Sequence, residues 1–502
     1  MKMKNMNRVN NSIKHRLMKI NTLILSLIAI LMIISCEKLV EVDQPDIIEQ
    51  DQVFQDKNST RLSLIGIYGL MAELVEPLFL AGEVRADLVV ANKSADPYIK
   101  EYSNNSFSSS NPYNSPKPFY AIINNINDFI NEFEGKLANQ EMDTADFIAY
   151  KSELVAMRVW TQYQIAKIFG TCKYYTHVLN SNDSSEMINY SYEDTSLIRV
   201  LINDLTYSDT NVFTPKSEEI VWQIVRFSDY YVNALMGELY IDLGEYDNAV
   251  NKFKEIDRFG DLNNRAFNRF KISERYDVGW EWYVNYFLDE WETSKLVNHV
   301  LFMIAFDNRY NQTNELWNWT LSLNYQVAPS EWYIEKFEEH AYPLSGETDW
   351  RVLSIENWFS DFRSPYAITK YQENDRPLIM SRTGRVSLLK IWCYAQLEDT
   401  RNAFRELDKI RARVAFLEID QDDMPSDPGE ALIWLEDIVM DELAYETGFE
   451  GQRWFDLMRA ANRRNDPSYL ANRVAQKYPE DSRERIRQKL LDKSNWYIPV
   501  FE

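Results

Sequence analysis

Helical periodicity confined to hairpin-sized segments is what most limits the folds open to this chain. Residues Asp229–Ile256 read DYYVNALMGELYIDLGEYDNAVNKFKEI. Apolar and small side chains recur there every three or four residues, the spacing that lines one face of an α-helix. Gly244 stands where a turn between two helices belongs. Gly237 lets the two helices approach closely, Tyr240 fills the groove, and Ala249 and Phe253 continue the pattern. Arg385–Ile410 repeats the scheme more loosely, with Tyr394, Ala403 and Leu407. Further helices are predicted at Thr60–Leu74, at Phe119–Phe133 (Ile122, Ile126, Phe129, Phe133) and at Phe147–Phe169. The last carries Leu154, Met157, Trp160, Gln164 and Ile168 on one stripe, and Gly170 stops it. The hairpins are not contiguous, so the chain is not a uniform solenoid; the fold has to gather them.

The pair at Asp229 has the spacings of a tetratricopeptide helix pair, and the Thr60 and Phe147 segments read as degenerate copies. Between them the texture changes. Ala95–Pro118 is rich in Asn, Ser, Pro and Tyr and reads as an irregular loop. Val297–Phe306 (VNHVLFMIAF) is short and continuously apolar, like a buried strand. Asn308–Pro329 is polar and aromatic without a clean period. The acidic loop Asp420–Glu430 has Pro425 where a calcium loop needs Gly, so no metal is expected there.

The N-terminus carries a different signal. Lys14, Arg16 and Lys19 precede the apolar run Leu23–Ile34, followed by Ser35 and Cys36. This is the layout of a cleaved signal. The run is about twelve residues, short of the roughly twenty a spanning helix needs. Cys36 in that place resembles a bacterial lipobox, with Ile33 where Leu is usual. The resemblance implies cleavage before Cys36, a lipidated thiol, and membrane attachment through acyl chains alone. The next residues, EKLVEVDQPDIIEQDQ, read as an acidic tether. Cys172 and Cys393 are expected to be buried thiols in separate helical segments. A net charge of −23 argues against nucleic acid, whose phosphates call for clustered Lys and Arg.

Residues 441–459 read DELAYETGFEGQRWFDLMR. Glu442, Glu446, Glu450, Arg453 and Arg459 form a ladder of possible ion pairs across a helix break at Gly451. Alone, the motif has the look of a paired-carboxylate active site. Neighbouring Glu and Arg on helices more often hold helices together. A structural role is therefore the reading for Glu442, Glu446, Glu450, Gly451, Arg453, Trp454, Asp456 and Arg459.

At these residues the chain resembles the SusD/RagB proteins, nutrient-binding surface lipoproteins of Bacteroidota. Glu442-Leu-Ala-x-Glu446 followed by Phe449-Glu450-Gly451-x-Arg453-Trp454-Phe455-Asp456-Leu457-Met458-Arg459 is similar to their C-terminal signature. Asp349-Trp350-Arg351, Lys370-Tyr371, Ile410-Arg411-Ala412-Arg413 and Asn495-Trp496-Tyr497-Ile498-Pro499 extend the likeness. It implies a mostly α, SusD-like fold, in which dispersed tetratricopeptide-like pairs support a loop-rich ligand-binding half. The implied division is a signal peptide (1–35), a lipidated tether (36–58), an N-terminal region (59–300) and a C-terminal region (301–502). The implied function is non-enzymatic: capture of an oligomeric nutrient, most often a glycan and in some members a peptide. Delivery is to a SusC-type TonB-dependent transporter in the outer membrane, with no cofactor.

Sugar rings stack their C–H faces on aromatic side chains and satisfy their hydroxyls with nearby polar groups. Two non-periodic segments offer such a mixture. Asn92–Tyr113 has Tyr98, Tyr102, Asn104 and Tyr113; Arg309–Tyr325 has Tyr310, Asn314, Trp317, Trp319 and Tyr325. Trp317 and Trp319 lead, because alternation in an extended segment would aim both rings to one side. Trp280, Trp282, Tyr283 and Trp291 form a third cluster, divided between core and surface. The competing reading is a surface glycoside hydrolase, which needs two carboxylates at a set separation. A zinc hydrolase is disfavoured, since His177, His299 and His340 lack HExxH spacing. A nucleophile elbow and a phosphate-binding glycine loop are absent from the sequence.

Overall fold

The hairpin signalled by Gly244 forms in the computed structural model, which describes residues 57–179, 187–209, 224–262, 300–307, 311–341, 349–356, 366–414 and 419–501. In chain order the helices are α1 (Lys57–Met71), α2 (Val75–Phe79), α3 (Pro97–Ser103), α4 (Lys117–Ala138), α5 (Thr144–Phe169), α6 (Thr195–Asp209), α7 (Asp229–Asp242) and α8 (Tyr246–Leu262). They continue with α9 (Leu316–Thr320), α10 (Glu331–Ala341), α11 (Thr383–Gln396), α12 (Thr400–Arg413), α13 (Pro428–Thr447), α14 (Arg453–Arg464), α15 (Pro467–Ala475) and α16 (Glu480–Leu490). The strands are β1 (Val89–Ala91), β2 (Thr171–Tyr174), β3 (Ile188–Ser191), β4 (Val300–Ile304), β5 (Val327–Pro329) and β6 (Leu378–Arg382). They pair only as two-stranded antiparallel ribbons: β1 with β5, β2 with β3, β4 with β6. The chain is mostly helical, as its periodicity predicts. Contacts divide it into Met1–Ile65, of which the described part is the start of α1, and Gly66–Glu502, which holds everything below.

Helix pairs joined by short turns make the frame. They are α4 with α5, α7 with α8, α11 with α12, and α13 with α14, linked by α5 on α6, α6 on α7, and α11 on α13. Helices α8 and α11 pack together although the chain from Leu262 to Thr383 separates them. Dispersed hairpins are thus gathered in space, as the sequence requires. Gly237 shows why the pair is tight: a Cβ there would lie 2.2 Å from the ring of Phe253.

Several expectations need correction. Helix α5 has no single apolar stripe; every side chain from Ser152 to Phe169 is buried. Neighbours α4 and α6 both pack on it, and a helix enclosed on all sides buries its polar positions too. The stretch Ala95–Pro118 is not wholly irregular. Asp96 caps α3 at the backbone N–H of Tyr98, with Pro97 in the first turn, and Asn111 starts a 3-10 turn at Pro112–Asn114 in the same way. Both are standard capping signals. Asn308–Pro329 contains helix α9, so Trp317 and Trp319 do not alternate on a strand. Cys172 is buried as expected, but it lies on β2 and not in a helix; Cys393 is buried in α11. The apolar run at Val297 does form a strand. All five residues of β4 are buried, and Phe302 packs 4.6 Å from the rings of Phe227 and Tyr231.

The Glu–Arg motif lies inside this frame. Arg351, fully buried, bonds Asp349 at 2.6 Å and Glu442 at 2.6 Å. Arg411 reaches the other oxygen of Glu442 at 2.6 Å. Arg382 joins Glu446 and Glu450, and Lys370 reaches Glu450 at 2.6 Å. Arg453 holds Asp87 through Nε and Nη2, at 2.8 and 2.7 Å. Arg385 and Arg459 share Asp456, and Arg459 also bonds Asp242. Trp454 lies 4.0 Å beneath the Arg85 guanidinium, and its Nε1 donates to the Trp496 carbonyl at 3.2 Å. Gly451 breaks the helix at φ +76°, and its N–H donates to buried Glu83.

Two outcomes follow from this network. Glu450→Gln leaves Arg382 and Lys370 short of a buried counter-charge, which typically costs roughly 3–5 kcal/mol. The expected result is a lower melting temperature with ligand affinity retained. Native stability with lost binding would show that Glu450 belongs to the site.

The second outcome is a stability optimum in pH. Burial alone would raise Glu238, but Arg385, Arg459 and Lys167 hold it at about 2, below its ordinary 4.5. A depressed carboxylate contributes stability above pH 4.5 and loses it as pH falls towards 2. Burial pushes Glu83 up to about 7; its contribution is present below pH 4.5 and is lost as pH rises through 7. Denaturant titration across pH should therefore show Glu238→Gln with a flatter acid limb and Glu83→Gln with a flatter slope between pH 4.5 and 7. Unchanged slopes would contradict these assignments.

Candidate functional site

The aromatic segments singled out in the sequence lie far apart in the chain but meet in space. Ribbon β1–β5 joins them, with Val89 opposite Pro329 and Ala91 opposite Val327. Polar links continue past its end. The Asn92 N–H donates to the Gln326 carbonyl at 2.7 Å, and Asn92 Nδ2 donates to the Tyr325 carbonyl at 3.2 Å. The Asp96 N–H donates to Gln326 Oε1 at 2.8 Å. Tyr113 meets Trp319 edge to face, with ring centroids 6.0 Å apart.

Burial then sorts the candidate residues. Tyr102 is fully buried and its hydroxyl donates to the Tyr113 carbonyl at 3.0 Å. Asn314 is buried; its Nδ2 donates to the Arg376 carbonyl and its Oδ1 accepts from the Leu316 N–H at 2.9 Å, fixing the start of α9. Trp319 is 7% exposed. These three are buried, unlike the exposed ligand contacts expected of them. The reason for Trp319 is helical geometry: two positions along an α-helix are roughly 200° apart, so α9 turns one indole inward. Tyr98, Tyr113, Trp317 and Tyr325 keep partial exposure and Asn104 is exposed. Tyr310, the cluster Trp280, Trp282, Tyr283 and Trp291, and Cys36 lie outside the described residues.

The electrostatics of this platform are acidic. Burial, with Glu76, Asp96 and Glu315, pushes the Tyr113 hydroxyl well above the ordinary tyrosine range. Glu76 shares a hydrogen bond with that hydroxyl, and burial, then Glu315, raises its carboxyl. Glu315 accepts from Asn318 Nδ2 at 2.8 Å. Sequence reading missed Glu76 because it lies outside both aromatic segments, and Glu315, inside the second, because a lone carboxylate there carries no recognisable spacing; tertiary packing alone brings Glu76 to Tyr113. Partly exposed rings beside hydrogen-bond acceptors suit a flat, hydroxylated ligand. The motif at 442–459 takes no part, since all its charges are buried in the frame. Among the described residues no group of His, Cys, Asp and Glu is placed to hold a metal ion.

Comparison with known proteins agrees in sequence and in shape. The profile of the SusD family matches residues 282–502. The chain is 22% identical over 486 residues to SusD-like protein P38 of Formosa agariphila, covering 87% of this chain and 90% of that one. A SusD superfamily protein from Bacteroides vulgatus superposes with a TM-score of 0.65 at 16% identity, over 87% of this chain and 93% of its own. A laminarin binding SusD-like protein superposes with a TM-score of 0.61 at 15% identity, over 89% and 99%. The matched C-terminal sequence, with its buried Glu–Arg signature, and the gathered helix pairs have one common account: residues 282–502 match the SusD family, and the chain as a whole has the fold of SusD-like proteins.

Proposed function

We propose that the protein captures an oligosaccharide, without cleaving it, on the platform of Tyr98, Tyr113, Trp317 and Tyr325. The carrying observation is the convergence of two aromatic segments across β1–β5, beside the carboxylate acceptors of Glu76 and Glu315. Family likeness and the laminarin binding neighbour support a glycan over a peptide. The same likeness supports delivery to a SusC-type TonB-dependent transporter. It also supports tethering of the mature chain to the outer membrane through lipid on Cys36. Stacking of C–H faces on the rings supplies affinity; carboxylate and amide acceptors orient the hydroxyls. Glu76 and Glu315 share one neighbourhood, as a hydrolase pair would, so the test addresses turnover as well.

Calorimetry against a panel of neutral and acidic glycans and peptides is the measurement. Trp317→Ala should cost about 1–3 kcal/mol, roughly ten- to a hundred-fold in affinity, with the fold intact. Trp319→Ala should instead lower stability. Unchanged affinity in Trp317→Ala and Tyr98→Ala would remove the platform. Release of shorter sugars by the wild type, abolished in Glu76→Gln, would replace binding by hydrolysis.

A further inference from the structure

Helix α10 has two faces. Tyr333 and Phe337 are buried, while Trp332, Glu335 and Glu339 line an open cleft of about 660 Å³. Helix α15 and the residues after it line the cleft with Tyr469, Asn472 and Gln476. None of the platform residues takes part. The volume lies in the range of about 300–1,000 Å³ typical of small-molecule sites.

Tyr469 is the singular group here. It is 9% exposed, and its hydroxyl is a buried polar atom with no hydrogen-bond partner among the described residues. Buried polar groups are nearly always paired, and an orphan calls for an explanation. Its ring is held in place: the guanidinium carbons of Arg464 and Arg473 lie 4.1 and 5.5 Å from its centroid.

The charges of the cleft narrow the ligand class. Its cations are already engaged. Arg464 bonds Asp437 at 2.9 Å, Arg473 bonds Asp441 at 2.6 Å, and Lys336 bonds the other oxygen of Asp441 at 2.7 Å. Glu335 and Glu339 form no ion pair among the described residues. An anionic ligand would meet carboxylates without a free cation. Asn472 Oδ1 accepts from Arg487 Nε at 2.7 Å, which leaves its amide hydrogens to donate. The cleft therefore offers donor hydrogens at Asn472, acceptors at Glu335 and Glu339, and an indole at Trp332, with Tyr469 and its buried hydroxyl in the wall. Sugar hydroxyls both donate and accept, so they use this mixture fully. A cationic peptide would use only the carboxylates and the indole.

We propose that this cleft is a second saccharide site, taking a segment of a neutral oligosaccharide between α10 and α15, independent of the platform. Titration of the full mature protein with laminarihexaose, maltohexaose, trigalacturonate and trilysine tests it. A neutral hexasaccharide should fill two sites in the wild type. Trp332→Ala should abolish one of them and Trp317→Ala the other. Tyr469→Phe keeps the ring between the arginines and should weaken the cleft site about tenfold, a check that does not depend on Trp332→Ala folding. A single site lost in Trp332→Ala and untouched by Trp317→Ala would uphold the cleft and remove the platform. A single site with the opposite response would uphold the platform and overturn the cleft. Absence of neutral-sugar binding, or a response of trilysine alone to Trp332→Ala and Tyr469→Phe, would also overturn the assignment.

Discussion

Everything in this fold leans on a buried run of guanidinium–carboxylate pairs centred on α13 and α14. Arg351, Arg382, Arg411, Arg453 and Lys370 reach Glu442, Glu446, Glu450 and Asp87 from separate parts of the chain. Each such charge taken singly from water costs several kcal/mol, so each cation requires its partner in place. Paired, they tie together elements that apolar packing alone would let slide. Gly82 and Gly451 mark how close the strands of this knot run: a Cβ on Gly82 would sit 1.9 Å from the Gly451 carbonyl oxygen.

That knot leads physically to the platform. Arg453 grips Asp87, and β1 begins two residues later at Val89. Ser330 Oγ donates to the Asp87 carbonyl at 2.8 Å, and its N–H donates to the Leu88 carbonyl at 2.8 Å. Ribbon β1–β5 is thereby fixed at both strands, and the aromatic segments leave from its ends. A rigid frame below and short, capped helices above are what a preorganised binding surface needs, since less ordering remains to be done when ligand arrives. The C-terminal element adds a clamp: the Trp496 carbonyl accepts from Arg85 Nη1 and Trp454 Nε1, and the Ile498 N–H donates to the Ile168 carbonyl.

Legibility of the sequence differed by the range of the interaction that decides each feature. The hairpins at Asp229 and Arg385 were readable because helix period, close approach at Gly237 and turn at Gly244 are local. The stops at Gly170 and Gly451 were readable for the same reason. Helix α3 was missed although its Asp96-Pro97 cap is a local signal, because the Asn and Ser around it outweighed the cap. The all-round burial of α5 had no local signal, since it arises from α4 and α6 closing on both sides.

The sequence by itself determined a mostly helical chain of dispersed hairpins, a buried strand within Val297–Phe306, and a charged motif at 441–459 whose spacing fits helix-to-helix pairing. These follow from side-chain periodicity and from the chemistry of single residues. Only the tertiary structure decided which cation meets which carboxylate, because Asp87, Asp349 and Arg382 are remote from the motif in the chain. It also decided that Trp319 faces inward while Trp317 keeps exposure, that Glu76 joins Tyr113, and that the Tyr469 hydroxyl has no hydrogen-bond partner among the described residues. Those facts depend on contacts between distant segments, and no local pattern carries the direction in which a distant segment approaches.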